Sequence, residues 1–222
     1  MKVGIIVPIK TNNKRLPGKT FKFLGGKPLY KYLFDTLNNL KNFDIDIYID
    51  SSDERVLEIA KKYEFRIFIR PEEYNKDNIT GDELIARNIS NLESYDIIGL
   101  LHITSPFLTI KTIKKAISII SENSQIDSLF GVVPRYGRFW FENRPVNHDP
   151  QKLVATQFLT PVYEEATDMY FFRKDSFKKY GKRICGNFMA FEVNEIESVD
   201  IDTLEDLVYA ESLIKLGLVK MD

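Results

Sequence analysis

Residues 3–20 read Val3-Gly4-Ile5-Ile6-Val7-Pro8-Ile9-Lys10-Thr11-Asn12-Asn13-Lys14-Arg15-Leu16-Pro17-Gly18-Lys19-Thr20, and this stretch decides the fold. Val3 to Pro8 is an apolar run of strand length, too short to be a signal peptide or to span a membrane, so it predicts a buried first strand. The loop after it is polar and carries Lys10, Lys14, Arg15 and Lys19 within ten positions. In open α/β sheets, ligands bind at the carboxyl ends of the strands. A cationic loop at that edge can hold a triphosphate by charge-assisted hydrogen bonds from its side chains and backbone N–H groups. Its spacing is neither Gly-x-x-x-x-Gly-Lys-Ser/Thr nor Gly-x-Gly-x-x-Gly. A solvated basic loop is the other reading of the same charges.

Outward from this stretch, strand-length apolar runs alternate with helix-length amphipathic ones. A helix with Leu29, Leu33, Leu37 and Leu40 on its apolar face is followed by a strand at Ile45–Asp50. Ser52 or Asp53 can cap the next helix, which turns Val56, Ile59 and Ala60 inward. Further strands are expected at Phe65–Ile69, at Ile97–Ile103 (wholly apolar but for His102, hence central) and at Ser128–Pro134. Helices are expected at Gly81–Leu92 and Ile110–Ser121. This order predicts an α/β fold with a parallel sheet and helices on both faces. Between Tyr136 and Tyr163 the pattern breaks. Phe139-Trp140-Phe141, a turn at Asn143-Arg144-Pro145 and β character from Leu153 to Val162 predict a hairpin leaving the sheet. Short strands at Met169–Phe172 and Phe188–Val193 and a helix at Leu204–Leu216, capped by Asp202 or Thr203, complete the pattern.

Two further features bear on chemistry. In Asp200-Ile201-Asp202-Thr203, extended alternation puts both carboxylates on one side. Such a pair can hold a hard cation such as Mg²⁺, although Asp202 can also serve only as a helix cap. His102-Ile103-Thr104-Ser105-Pro106 ends the most apolar strand and points a polar group at the ligand edge; a structural histidine is the alternative. His148 has no partner visible in sequence and reads as a surface residue. A cationic loop, a carboxylate pair and a polar strand end converging on one sheet edge suit phosphoryl or nucleotidyl transfer, where catalysis is mostly positioning and charge neutralisation.

The 222 residues suffice for one α/β domain with a real core, and 44% of them are hydrophobic. Lys+Arg is 31 against Asp+Glu 32, so the global charge gives no argument for nucleic acid or membrane as a partner. Cys185 is the single cysteine; it excludes an intramolecular disulfide and is expected to be a buried, inert thiol in a reducing, cytoplasmic setting.

Lys14-Arg15-Leu16-Pro17-Gly18-Lys19, with Leu24-Gly25-Gly26-Lys27-Pro28-Leu29 after it, resembles the N-terminal signature of the acylneuraminate cytidylyltransferases, relatives of the CMP-Kdo synthetases. The likeness continues through Arg70-Pro71-Glu72-Glu73, Thr104-Ser105-Pro106, Val199-Asp200-Ile201-Asp202-Thr203 and Glu205-Asp206-Leu207. The resemblance implies one α/β domain over residues 1–222 of the nucleotide-diphospho-sugar transferase type. It also implies a homodimer whose contact is a protruding hairpin, here residues 136–163. The implied reaction transfers CMP from CTP to a sugar-type acceptor with release of pyrophosphate. Lys14, Arg15 and Lys19 would hold the triphosphate with Pro8, Lys10, Asn13 and Thr20 beside it, and Asp200 and Asp202 would bind Mg²⁺. Arg70 and the segment through Thr80 would lie near the cytidine, and His102, Thr104, Gln157, Thr167 and Asp168 would face the acceptor.

The chain departs from the family pattern at several of these positions. Lys10 stands for Arg, Asn13 for Ser, Thr20 for Asn, His102 for Gln and Thr167-Asp168 for Asn-Gly. Lys10 keeps the charge but loses the bidentate fork. Lys10, Asn13 and Thr20 belong to the phosphate loop, whereas His102 and Thr167-Asp168 fall where the acceptor and the base would be read, so an acceptor other than ordinary N-acetylneuraminate is expected. A nucleotide-sugar-dependent glycosyltransferase and a non-catalytic nucleotide-binding module are the competing readings. In the first, the Asp-x-Asp pair would normally lie mid-chain.

Overall fold

The computed structural model describes residues 1–40 and 43–219. Its strands in chain order are β1 (Val3–Pro8), β2 (Phe23–Leu24), β3 (Lys27–Pro28), β4 (Ile45–Ser51), β5 (Arg66–Ile69), β6 (Ile97–Leu101), β7 (Ser128–Arg135), β8 (Trp140–Phe141), β9 (Arg144–Pro145), β10 (Val162–Arg173) and β11 (Phe188–Glu192). The helices are α1 (Leu29–Asn38), α2 (Glu54–Lys62), α3 (Gly81–Asn88), α4 (Ile110–Glu122), α5 (Lys174–Tyr180) and α6 (Leu204–Lys215).

Seven strands form the main sheet in the order β11-β7-β10-β6-β1-β4-β5. β6 is therefore central, as its apolar run predicts. The period-two pattern feeds two cores. Val3, Ile5 and Val7 of β1 join Leu33 and Leu37 of α1, Val56 and Ala60 of α2, and Ile113 of α4 on one face. Ile6 joins Ile85 of α3 and Phe177 of α5 on the other. Full burial of a leucine such as Leu33 contributes roughly 1.5–3 kcal/mol. A third cluster packs α6 against Leu16, Leu24 and Leu29, which fixes the loop after β1 from behind. Helix ends follow the sequence signals. Asp53 caps α2, and Thr203, not Asp202, caps α6 in a reciprocal capping box with Asp206.

The sheet is mostly parallel, with one strand reversed. β10 runs antiparallel to both β6 and β7. The Met169–Phe172 strand expected from sequence is the second half of this 12-residue strand, whose register breaks between Glu165 and Tyr170. Because β10 is reversed, its first half lies at the edge where β1, β4 and β6 end, with Met169 opposite Leu101. The 136–161 excursion leaves and returns at this same edge. It contains a small β8–β9 hairpin whose two-residue turn is Glu142-Asn143, both at positive φ, and not Asn143-Arg144-Pro145. The stretch from Leu153 onward has no strand before Val162; a 3₁₀ turn, Thr156–Phe158, occupies its middle. No helix among the described residues is long and apolar enough to cross a membrane.

Candidate active site

The loop after β1 is shaped by two residues. Leu16 is buried in the apolar cluster beneath α6. Gly18, at φ 69°, lets the chain turn into a short 3₁₀ helix, Lys19–Phe21. This turns Lys19 inward, where it is only 7% exposed. Its ammonium donates to Asp202 Oδ1 at 2.7 Å, while Arg15 pairs with Asp202 Oδ2 at 2.6 Å. Asp202 is thus gripped by two cations of the loop. The other two, Lys10 and Lys14, both reach Asp77 at 2.5 Å and hold its carboxyl down at about 2.

These groups line a cleft with two lobes. The larger, about 580 Å³, runs from Lys14, Arg15 and Lys19 past His102 to Arg70, Tyr74 and Gly81. The smaller, about 260 Å³, is bounded by Thr104, Thr167 and Asp200. Pro8, Lys10, Asn13, Lys19, His102 and Asp202 line both, so they form the junction. Asp200 and Asp202 belong to an extended segment rather than a sheet strand. Ile201 between them is fully buried and donates its N–H to the Thr104 carbonyl at 2.8 Å, which sends the flanking carboxylates to the cleft. Thr167 Oγ1 donates to Asp200 Oδ2 at 2.9 Å.

Two oxygens here, Asp200 Oδ1 and Asn13 Oδ1, are buried with no hydrogen-bond partner among the described residues. Buried acceptors are normally paired, and an orphan in a cleft marks a place for a ligand. An orphan carboxylate oxygen beside a second carboxylate is the donor type Mg²⁺ takes. Among the described residues no group of three His, Cys, Asp or Glu side chains converges. Phosphate oxygens and water would complete the shell, as that ion commonly accepts.

His102 follows the end of β6 and is half-buried, with its ring edge against Tyr170. Burial first, then the nearby Arg183 and Lys19 cations, lower its pKa to about 4 against an opposing pull from Asp202, so the imidazole is neutral at pH 7. Asp168 is fully buried, and it lines neither lobe. Its Oδ1 accepts from the Met169 N–H at 2.7 Å and Oδ2 has no partner among the described residues. Burial, reinforced by Glu197 and Asp200, raises its pKa to about 7 despite the backbone hydrogen bonds it accepts. The carboxyl fills the space above Gly131, where a Cβ would come within 2.3 Å of it.

Three other residues singled out in sequence also lie off the cleft walls. Thr20 is buried behind the loop, with its hydroxyl 3.5 Å from the Lys10 carbonyl. Thr80 spends its hydroxyl on the capping box of α3, between the cleft residues Ile79 and Gly81. Gln157 is exposed on the excursion. His148 packs edge-on to Trp140. Conversely, Tyr74 and Asp77 are cleft residues that sequence marked only as part of a polar stretch.

A mostly parallel sheet with a cationic loop and paired carboxylates at its carboxyl edge defines a protein of the nucleotidyltransferase class. The profile of the cytidylyltransferase family matches residues 4–220, and the chain belongs to that family. It is 28% identical to the pseudaminic acid cytidylyltransferase of Campylobacter jejuni, over 98% of both chains. It is 24% identical to the N-acylneuraminate cytidylyltransferase of Streptococcus agalactiae, over 94% of this chain and 52% of that one. The solved structure of CMP-2-keto-3-deoxy-manno-octonic acid synthetase in complex with CTP shares the fold. Its TM-score is 0.70 at 15% identity, covering 98% of this chain and 100% of that one.

Proposed function

We propose that this cytidylyltransferase moves CMP from CTP to a nonulosonate sugar, with a pseudaminic-acid-type acceptor the first choice. The observation that carries the reading is the meeting of Lys19, Arg15 and Asp202 where the two lobes of the cleft join. One lobe offers cations for a triphosphate and the other offers hydroxyl and carboxylate groups for a polyhydroxy acceptor. Family membership and the substituted positions His102 and Thr167, both of which line the smaller lobe, support the choice of acceptor, and membership sets aside the glycosyltransferase reading.

In this reading an acceptor hydroxyl oxygen bonds to the α-phosphorus, the bond from that phosphorus to the bridging oxygen breaks, and pyrophosphate leaves with the electron pair. Lys14, Arg15 and Lys19 neutralise the charge that grows on the leaving group. Asp200 and Asp202 are the residues that would hold Mg²⁺, which polarises phosphate and acceptor oxygens when bound. The hydroxyl proton passes to solvent or to His102, whose neutral ring lines both lobes. The 136–163 excursion is the dimer contact: Phe141, Leu153 and Phe158 are 68%, 90% and 75% exposed, an apolar surface that asks for cover. The protein is expected in the cytoplasm, beside its nucleotide pool.

Pyrophosphate release tests the reading. CTP, UTP, ATP and GTP are offered in turn with pseudaminic acid, N-acetylneuraminate and Kdo. Release confined to CTP with a nonulosonate is expected; release with another triphosphate, or with no acceptor present, would count against it.

A further inference from the structure

At the far end of the larger lobe lies a buried charge cluster that the chemistry of transfer does not use. Asp50, the sixth residue of β4, is fully buried at the carboxyl edge of the sheet. Its carboxylate accepts from Arg70 Nε at 3.1 Å, from Arg87 Nη2 through both oxygens at 3.1 Å, and from Asn88 Nδ2 at 3.0 Å. Its backbone carbonyl accepts from Arg70 Nη2 at 2.8 Å. One carboxylate therefore fixes two guanidinium groups drawn from different elements, the chain after β5 and helix α3.

Both arginines lead to the cleft wall. Arg70 lines the lobe, and its Nη1 carries none of these bonds. Arg87 lies 5.5 Å from the centre of the Tyr74 ring, and Tyr74 also lines the lobe. Arg87 Nη1 further donates to the Ile69 carbonyl at 3.2 Å, tying the cluster to the segment that carries Arg70. The result is a rigid corner with an N–H donor edge from Arg70 and an aromatic face from Tyr74. An isolated arginine at that wall would sample several rotamers; one held through two nitrogens keeps a single donor direction.

We propose that Asp50 is a positioning residue for base selection, holding Arg70 directly and Tyr74 through Arg87 so that the corner accepts cytosine and rejects uracil. The inference rests on the reading that this lobe takes CTP. A fixed guanidinium edge presents donors only. Cytosine offers acceptors at both N3 and O2, whereas uracil presents an N–H at position 3, so one partner of the pair would face a donor with a donor. A site built for a hydrogen bond discriminates strongly against an analogue that cannot make it. Asp50 meets the phosphate loop only through its backbone carbonyl, which accepts from the Ile9 N–H at 2.8 Å, whereas its carboxylate bonds to Arg70, Arg87 and Asn88, so the role of the side chain should be confined to the base.

The test compares wild type, Asp50→Asn and Arg87→Met by steady-state kinetics with CTP and UTP at a fixed nonulosonate concentration, and by inhibition with pyrophosphate. Asp50→Asn is expected to raise the KM for CTP about tenfold or more and to lower the ratio of kcat/KM for CTP over UTP by a similar factor. Its kcat at saturating CTP and its pyrophosphate inhibition constant should stay within about threefold of wild type. A purely structural role would lower thermal stability and active fraction while leaving the CTP:UTP ratio untouched. Should Asp50→Asn fail to fold, because a buried carboxylate is lost between two cations, Arg87→Met keeps Asp50 paired with Arg70 and must still lower the ratio. An unchanged ratio in the variants that fold overturns the inference alone. Wild-type enzyme that uses UTP as readily as CTP removes the underlying reading, and the inference with it.

Discussion

Lys19 Nζ donates to Asp202 Oδ1 at 2.7 Å although the two residues stand 183 positions apart in sequence. The contact joins the first loop of the chain to the segment before its last helix, and it lies where the two lobes of the cleft meet. A buried lysine beside a carboxylate is stable as it stands, and a triphosphate entering the cleft offers Lys19 a second anion. In the proposed reaction Asp202 would be available to hold Mg²⁺ once Lys19 and Arg15 pair with phosphate.

Asp202→Asn should therefore abolish turnover without unfolding the protein. The expected loss in kcat/KM is about 100-fold or more, the scale of removing one group that stabilises transition-state charge. The melting temperature should shift by no more than a few degrees. Kinetics with Mg²⁺ and with EDTA, alongside circular dichroism, make the check. A folded variant with most of its wild-type turnover would remove the metal assignment.

Lys19→Ala should weaken CTP binding whatever the acceptor. A hydrogen bond to a charged group contributes about 1.5–3 kcal/mol, so the affinity should fall roughly 10- to 150-fold. His102→Ala should weaken CTP less than tenfold and lower turnover with the true acceptor more. Calorimetric titration of CTP into both variants compares them directly. Equal losses would make His102 primarily a reader of the nucleotide, a role its position on both lobes also allows.

Asp168 should give the protein an unusual pH dependence. Its folded pKa, about 7, lies above the ordinary 3.8. Between those values the folded state holds a proton that the unfolded state has lost, so this contribution to stability falls as pH rises from about 4 to about 7. His102 acts in the opposite sense: its folded pKa, about 4, lies below 6.5, so its contribution grows across that interval. Asp168→Asn should gain stability over wild type at pH 8 and gain little or nothing at pH 4. Urea denaturation at the two pH values reads the difference, expected to be on the order of a few kcal/mol at most. An equal effect at both would mean that Asp168 ionises normally.

Phe141→Glu combined with Leu153→Glu should convert a dimer to a monomer while leaving the melting temperature of the fold nearly unchanged, since both side chains are exposed. Sedimentation equilibrium at micromolar protein checks this. A wild-type protein that is itself monomeric would contradict the assembly proposed for the excursion.

Much of this architecture is legible in the sequence because its signals are local. Leu29, Leu33 and Leu37 repeat at helical spacing and all pack inward, and the apolar run from Ile97 identifies the central strand. The direction of β10 is not legible in the same way. An apolar run such as Met169–Phe172 looks alike in parallel and antiparallel pairing. Its polar first half hides the strand's true length, because Tyr163, Glu164 and Glu165 are all exposed there and show no apolar alternation.

The site divides similarly. The loop cations and the Asp200–Asp202 pair could be named from spacing and resemblance. Asp50 could not: it reads as an ordinary polar residue ending a strand, and its partners Arg70, Arg87 and Asn88 lie 20, 37 and 38 residues downstream. Asp168 reads as a cleft residue beside Thr167, yet it turns away from both lobes and lies over Gly131, a packing relation that depends on β7 and β10 being neighbours.

Phosphorus NMR of the purified protein with CTP, Mg²⁺ and pseudaminic acid tests the central claim most directly. The account predicts that the three CTP resonances give way to one phosphodiester signal and one pyrophosphate signal in equal molar amounts, and only when the acceptor is present. Persistence of intact CTP in the presence of both Mg²⁺ and a nonulosonate, or its conversion to CDP and orthophosphate, would contradict it.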